Sequence, residues 1–411
     1  MKPRLGLLLG LALARATPVS ASEQAFEQIE HGRYLATAAD CVACHTIPGG
    51  VPFAGGRAIQ TPFGTLLSPN LTPDRETGIG AWTDAEFLRA MREGIGPNGE
   101  HFYPAFPYPY FSRMTPDDIV AIRRYLNTLD PVRNPVEANQ LPFPFSIRGV
   151  MSVWNALFFT PASFTPHADK SPEWNRGAYL VEGPGHCGAC HTAKNALGGD
   201  VTSRAFQGGS LGNWFAPNIT GDARVGLGGW SVEETAEYLG TGHNRSAAAT
   251  GPMAEVVSLS TSRMEPADLR AMALYLKDLP GLSASVTPAA SDTPFMRQGK
   301  LIFEAQCAAC HQSSGAGVPH LFPALAAAPG VQAGDANNLM RVVLEGGRSV
   351  ATAARPTAGA MPAFGWKLSD EQVASVLTYV RNTWGNAAAP VGAGEVAGMR
   401  VKLKQTRFSA E

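Results

Sequence analysis

Apolar positions recur with a helical period in three well-separated stretches of the chain. Thr115 to Leu129 places Ile119, Ile122, Leu126 and Leu129 on one stripe, and Glu265 to Leu279 does the same with Leu269, Met272, Leu276 and Leu279. Ser369 to Trp384 repeats the pattern with Val373, Val376, Leu377, Val380 and Trp384. Two of these helix starts are marked independently, by Pro266 in a first turn and by Ser369 followed by Gln372 as a capping box. Well upstream of each lies a shorter amphipathic segment with a glycine beside large apolar residues: Gly32-Arg33-Tyr34-Leu35, Gly177-Ala178-Tyr179-Leu180 and Gly299-Lys300-Leu301-Ile302-Phe303. A glycine there lets a later helix cross closely, because a side chain would hold the two backbones apart. The pattern predicts three repeats, each opened and closed by a helix. The stretches between are long loops dense in Gly and Pro, which leaves little side-chain core per repeat and implies that something else fills it.

The candidate filler is written into the cysteines. C-x-x-C-H, the attachment signature for c-type haem, occurs three times: Cys41-Val42-Ala43-Cys44-His45, Cys187-Gly188-Ala189-Cys190-His191 and Cys307-Ala308-Ala309-Cys310-His311. Two thiols three residues apart lie on one face of a helical turn, and the next histidine can swing beneath the same porphyrin. A thioredoxin-like or zinc reading leaves His45, His191 and His311 unexplained. The motifs consume all six cysteines, so none remains for disulfides. Each repeat is therefore expected to carry one covalent haem c.

A chain of 411 residues allows two to four domains, and the motifs make the number three. The expected division is a signal peptide over 1–21, repeats over 22–130, 167–280 and 294–386, a Pro-rich linker over 131–166, a Ser/Ala/Pro-rich linker over 281–293, and a flexible tail over 387–411. In the first linker Val150, Met151, Val153, Trp154, Leu157, Phe158 and Phe159 form an apolar segment expected to pack between repeats one and two. Repeats one and two also share Gly55-Gly56 with Gly208-Gly209, Asn70-Leu71-Thr72 with Asn218-Ile219-Thr220, and Trp82 with Trp230, the mark of an internal duplication. Lys2 and Arg4, an apolar run from Leu5 to Ala14, and Val19-Ser20-Ala21 read as an export leader. The run falls short of the about twenty apolar residues that a span needs. Losing the leader removes Lys2, Arg4 and Arg15 from 33 basic residues and leaves the 34 acidic ones, a balance with no nucleic-acid footprint. The tail ends in Arg400, Lys402, Lys404 and Arg407 and reads as a solvated, mobile terminus.

The sixth ligand decides what a haem does, because methionine opposite histidine raises the potential and closes the iron to substrates. Met361 in Met361-Pro362-Ala363-Phe364 precedes the last helix by one loop, and Met253 in Gly251-Pro252-Met253 occupies the comparable loop of repeat two, leaving Met264 as packing. In repeat one the loop reads Tyr103-Pro104-Ala105-Phe106, and Phe106 cannot bind iron. Met114, Met91 and His101 remain, or no ligand at all, with Met114 placed first.

The helix pair with a haem beneath it resembles the class I cytochrome c fold, so the fold class expected is mainly α: three class I cytochrome c domains in tandem. Phe53-Ala54-Gly55-Gly56, Thr61-Pro62-Phe63-Gly64, Asn70-Leu71-Thr72-Pro73-Asp74, Trp214-Phe215-Ala216-Pro217-Asn218 and Met361-Pro362-Ala363-Phe364-Gly365-Trp366 carry a further likeness. With these the chain resembles the tri-haem cytochrome c subunit of bacterial membrane-associated alcohol, gluconate, sorbitol and fructose dehydrogenases. The resemblance implies a partner dehydrogenase subunit of flavin, pyrroloquinoline quinone or molybdenum type. It implies ubiquinone, a terminal oxidase or another cytochrome as acceptor, a periplasmic location at the outer face of the inner membrane, and peripheral membrane contact. Outside the motifs the sequence shows no nucleotide loop, paired carboxylates or activated nucleophile, so no catalysis on an organic substrate by this chain alone is expected. Two other readings are a self-sufficient haem enzyme of peroxidase or reductase type, for which Phe106 is the support, and a free periplasmic electron carrier.

Overall fold

The computed structural model describes residues 21–281 and 286–408. The leader therefore lies outside the described residues except for Ala21, which opens the helix Ala21–Ala38. Among the described residues no helix is long and apolar enough to cross a membrane.

Each repeat is built on one crossing. Ala21–Ala38 crosses Pro116–Leu126, Pro172–Glu182 crosses Pro266–Asp278, and Pro294–Gln306 crosses Asp370–Arg381. The glycines mark the points of closest approach. A Cβ on Gly32 would lie 1.9 Å from the Ala121 carbonyl oxygen, one on Gly177 1.9 Å from that of Ala271, and one on Gly299 2.2 Å from that of Ser375. No side chain fits there, which is why these positions read as glycine three times.

The closing helices start where their caps dictate. The Thr115 hydroxyl accepts from the Asp118 amide, and Ser369 with Gln372 forms the reciprocal capping box. They end earlier than the apolar stripe: Leu129 lies beyond Leu126, and Trp384 follows Arg381 in a left-handed backbone conformation with φ of 55°. Short antiparallel hairpins punctuate the loops, pairing Ala58–Thr61 with Gly64–Leu67, Gly209–Leu211 with Trp214–Ala216, and Gly347–Arg348 with Ala360–Met361. The first two hold equivalent places in repeats one and two, as the duplication requires.

The Pro-rich segment after the first repeat is stitched to that repeat. Asn70 Nδ2 donates to the Val132 carbonyl at 2.7 Å, Asn134 Nδ2 to that of Ala54 at 2.8 Å, and Thr65 and Gln140 exchange backbone bonds of 3.0 and 2.8 Å. The helix Val150–Phe158 then buries Met151 and Trp154 against Tyr108, Phe102, Tyr103 and Phe106 of repeat one. It also meets repeat two, since Trp154 Nε1 donates to the Leu197 carbonyl at 2.9 Å and the Phe158 ring lies against Gly199. Val150, Val153 and Leu157 face outward, with Val153 59% and Leu157 63% exposed.

The flexible tail expected over 387–411 is a correction. Ala393–Phe408 is a helix whose Val396, Met399 and Leu403 are buried against Val373, Leu377, Met340 and Leu344. Arg400 fastens it, with Nε on Asp370 Oδ1 at 2.5 Å and Nη2 donating to the Leu368 carbonyl at 2.5 Å. Just before it, the buried Arg381 donates to the carbonyls of Ala389, Val331 and Ala333 at 3.0 to 3.1 Å. Three apolar residues at i, i+3 and i+7 form a stripe wide enough to hold a helix on a core, although Ala and Gly around them dilute it in the sequence.

Repeat two touches both others. Asn338 of repeat three exchanges two bonds with the Phe215 backbone at 2.9 and 2.7 Å, and the Arg341 guanidinium lies 4.5 Å from the centre of the Trp214 ring. Repeats one and two meet through Tyr34 with Asp268 and Tyr179 with Asp118.

Candidate haem sites

Each C-x-x-C-H sits on a single helical turn directly after the opening helix. The His45 amide donates to the Cys41 carbonyl at 3.0 Å and the His311 amide to that of Cys307 at 2.9 Å, so the two cysteines and the histidine are held on one coil of backbone. The histidine is then aimed by a proline. Nδ1 of His45 lies 2.7 Å from the Pro69 carbonyl, Nδ1 of His191 2.7 Å from that of Pro217, and Nδ1 of His311 3.1 Å from that of Pro323. A carbonyl can only accept, so Nδ1 carries the proton and Nε2 keeps its lone pair for a metal. Sequence reasoning missed these prolines, because proline takes part through its backbone oxygen and leaves no side-chain signature. Gly55 explains part of the first-repeat motif: its amide donates to the His45 carbonyl at 2.8 Å, and a Cβ on it would lie 2.5 Å from the Pro69 carbonyl carbon.

The electrostatics suit the same chemistry. Burial pulls the His45 imidazole down to about 4, and it lowers His191 and His311 likewise, so all three rings are neutral near pH 7. Burial pushes the Cys41 and Cys187 thiols up to about 12 and those of Cys44 and Cys307 up to about 11. All six cysteines are free of disulfides. In repeat two the Trp230 indole N–H is buried with no hydrogen-bond partner, a donor placed to meet a carboxylate such as a haem propionate. The residues present fit the group.

The methionines distribute unevenly around these turns. Cys41 packs on a cluster that holds Met91, Met114 and Phe106, with Met114 fully buried. The Nδ1 of His101, the third candidate, is buried without a hydrogen-bond partner. Cys187 packs on a cluster containing both Met253 and Met264. Met361 packs with Phe364 on a core that adjoins the cluster around Cys307 through Ile302 and Leu339. When the closing helices of repeats one and two are set in register, Met114 matches Met264, and Tyr103 stands opposite Met253.

Comparison with known proteins agrees with this geometry. The cytochrome c family profile matches residues 29–130 and 296–384, around the first and third motifs. The chain is 39% identical over 422 residues to the gluconate 2-dehydrogenase cytochrome c subunit of Pantoea cypripedii, covering 97% of this chain and 95% of that protein. The chain belongs to the cytochrome c subunits of bacterial dehydrogenases. A second such subunit, that of the quinone-type alcohol dehydrogenase of Gluconacetobacter polyoxogenes, is 39% identical over 96% of this chain and 87% of its own length. A nicotinate dehydrogenase subunit of Pseudomonas putida is 41% identical over 90% of this chain, which accounts for 31% of that longer protein. Family membership makes covalent haem c the cofactor of this chain. The bound group supplies one-electron chemistry; the chain's part is to hold it through the thiols, fix the imidazole through a proline carbonyl, and exclude water with the clusters above.

Proposed function

We propose that the chain carries three haems c, one at each attachment turn, and serves as the electron-transfer subunit of a dehydrogenase. It takes electrons from a catalytic partner and passes them to ubiquinone or another terminal acceptor. The observation that carries this reading is the repetition of one arrangement three times: a free Cys pair, a neutral histidine and a proline carbonyl on its Nδ1. Because repeat two contacts repeats one and three, the three sites form a series in which the middle one relays. Ligation by Met361 in repeat three, Met253 in repeat two and Met114 in repeat one completes the proposal.

The substrate belongs to the partner. Relatives of nearly equal identity are named as subunits of gluconate, alcohol and nicotinate dehydrogenases. The leader supports a periplasmic location, at the outer face of the inner membrane with peripheral contact to it. A self-sufficient haem enzyme is not favoured, since relatives matched over nearly their whole length are named as cytochrome c subunits of dehydrogenases.

The decisive experiment mixes the purified chain with substrate, first alone and then with its cognate dehydrogenase. The haems stay oxidised in the first case, are reduced in the second, and then pass electrons to a quinone. Substrate-dependent reduction of the isolated chain, free of flavin, pyrroloquinoline quinone and molybdenum, would overturn the reading.

A further inference from the structure

The residue before the first cysteine differs among the three repeats: Asp40, His186 and Gln306 precede Cys41, Cys187 and Cys307. Asp40 has a left-handed backbone, with φ of 49°, and its side chain does not cap the attachment turn. Its Oδ1 is buried with no hydrogen-bond partner. An ionised carboxylate in that position carries a large desolvation cost unless a cation answers it.

The charged groups that face it do not answer it fully. Glu255, on the helix Gly251–Leu259 of repeat two, repels it, while Arg57 and Arg263 attract it. Arg57 is engaged elsewhere: it grips Glu255 through both guanidinium nitrogens, at 2.5 and 3.0 Å, and donates to the Ala43 carbonyl. Burial, followed by Glu255, accordingly pushes the Asp40 carboxyl up to about 8. Its charge is also felt at both attachment sulfurs, since after burial Asp40 is the next influence holding the Cys41 and Cys44 thiols protonated. In repeat two the counterpart His186 instead uses its ring, with Nε2 3.3 Å from the Ala39 carbonyl.

We propose that Asp40 is the proton partner of the haem attached at Cys41 and Cys44, its carboxyl releasing a proton when that haem gives up an electron and recovering one when the haem is reduced. The balance is simple. The electron goes to the neighbouring carrier, the proton goes to solvent, and the net charge of the buried site is unchanged. In a medium of low dielectric the positive charge gained on oxidation and the negative charge of the carboxylate stabilise each other. A carboxyl beside one haem alone also distinguishes repeat one from its duplicate, although the helices around them match.

The inference rests on haem attachment in repeat one and needs no dehydrogenase. It is tested on the full chain by electrode titration with mediators at a series of pH values across about 8. The carboxyl is ionised more readily in the oxidised state, so the potential of one haem falls as pH rises and levels off once the group is ionised in both states. In Asp40→Asn that slope is lost and the potential stays at its acid-side level; in Asp40→Glu the slope returns. An unchanged slope in Asp40→Asn overturns the proposal. The wild type supplies a check free of folding effects. Infrared spectra of the reduced-minus-oxidised protein should show a protonated carboxyl band that shifts when aspartate carries a carbon-13 carboxyl label. A band insensitive to that label, as a propionate gives, also overturns it. Peptide mapping of the attached haems separates the failures: a chain whose Cys41 and Cys44 carry no haem defeats the three-haem reading and this inference together, whereas haem on all three Cys pairs with an unchanged slope defeats this inference alone.

Discussion

Tyr34 of repeat one donates its hydroxyl to Asp268 of repeat two at 2.6 Å, and the duplication returns the bond in reverse: Tyr179 of repeat two donates to Asp118 of repeat one. The correspondence extends outward. The Glu265 amide donates to the Tyr34 oxygen and the Thr115 amide to the Tyr179 oxygen, both at 3.3 Å, while Arg176 and His31, equivalent residues, hold Asp268 and Asp118 from the other side. The two repeats thus meet about an approximate two-fold axis, as the subunits of an isologous dimer do. Tyr34→Phe or Tyr179→Phe should each cost about 1.5 to 3 kcal/mol, the net worth of a hydrogen bond to a charged group. Denaturant melting of the purified holoprotein is the measurement, and two neutral variants would show that the exchange adds nothing to stability.

The same interface carries a pH dependence. Burial works to raise the Asp268 carboxyl, but the bonds from Arg176 and Tyr34 outweigh it and hold the group below its ordinary value. A depressed carboxylate contributes stability that is present above the unfolded value of about 3.9 and is lost as pH falls through the folded one. Asp268→Asn should therefore flatten the acid limb of the stability curve. An acid limb identical to the wild type would show that the pair is not linked to folding.

Methionine substitution sorts the iron ligands. Met361→Leu, Met253→Leu and Met114→Leu should each lower the potential of one haem and remove part of the sulfur-to-iron absorption in the far red, because thioether ligation favours ferrous iron. Since Met114 corresponds to Met264 by the duplication, Met264→Leu is the informative control. If it, and not Met253→Leu, removes the band, repeats one and two use the same position and Met253 is a packing residue.

The crossing glycines make a steeper prediction. Gly177→Ala puts a methyl group 1.9 Å from a backbone oxygen, so the helices must separate, at a cost of about 1 to 3 kcal/mol in overpacking. The pyridine haemochrome count should fall toward two per chain as repeat two fails to close around its haem. Full incorporation with unchanged melting would contradict the close approach.

Met399→Ala tests the last helix. A buried methionine cut to alanine costs about 2 to 5 kcal/mol, and here the loss should appear in repeat three alone, read as early melting of the haem at Cys307 and Cys310. A tail free in solution would give no change.

What the sequence revealed and what it concealed divide along a physical line. The crossings were legible because a glycine set among large apolar residues, upstream of an apolar stripe, is what close helix packing demands and little else does. The attachment turns were legible because thiol and imidazole chemistry is confined to particular side chains. The proline carbonyls on His45, His191 and His311 were hidden, since a backbone oxygen is present at every residue. Tyr34, Tyr179, Asp118 and Asp268 were hidden because polar residues on the outer face of an amphipathic helix look the same whether they meet water or another repeat. The terminal helix was missed because Val396, Met399 and Leu403 are sparse among small residues, and composition pointed to a loose end.

The stitching of residues 132–140 to repeat one has a consequence for kinetics. With Thr65 and Gln140 bonded in both directions, Asn134 tied to Ala54, and Trp154 reaching across to Leu197, the connection offers no hinge between the first two attachment turns. Their separation is set by the fold and not by diffusion of tethered lobes. Thickening the solvent with glycerol should slow the encounter with a partner while leaving the internal step between these two repeats at its original rate.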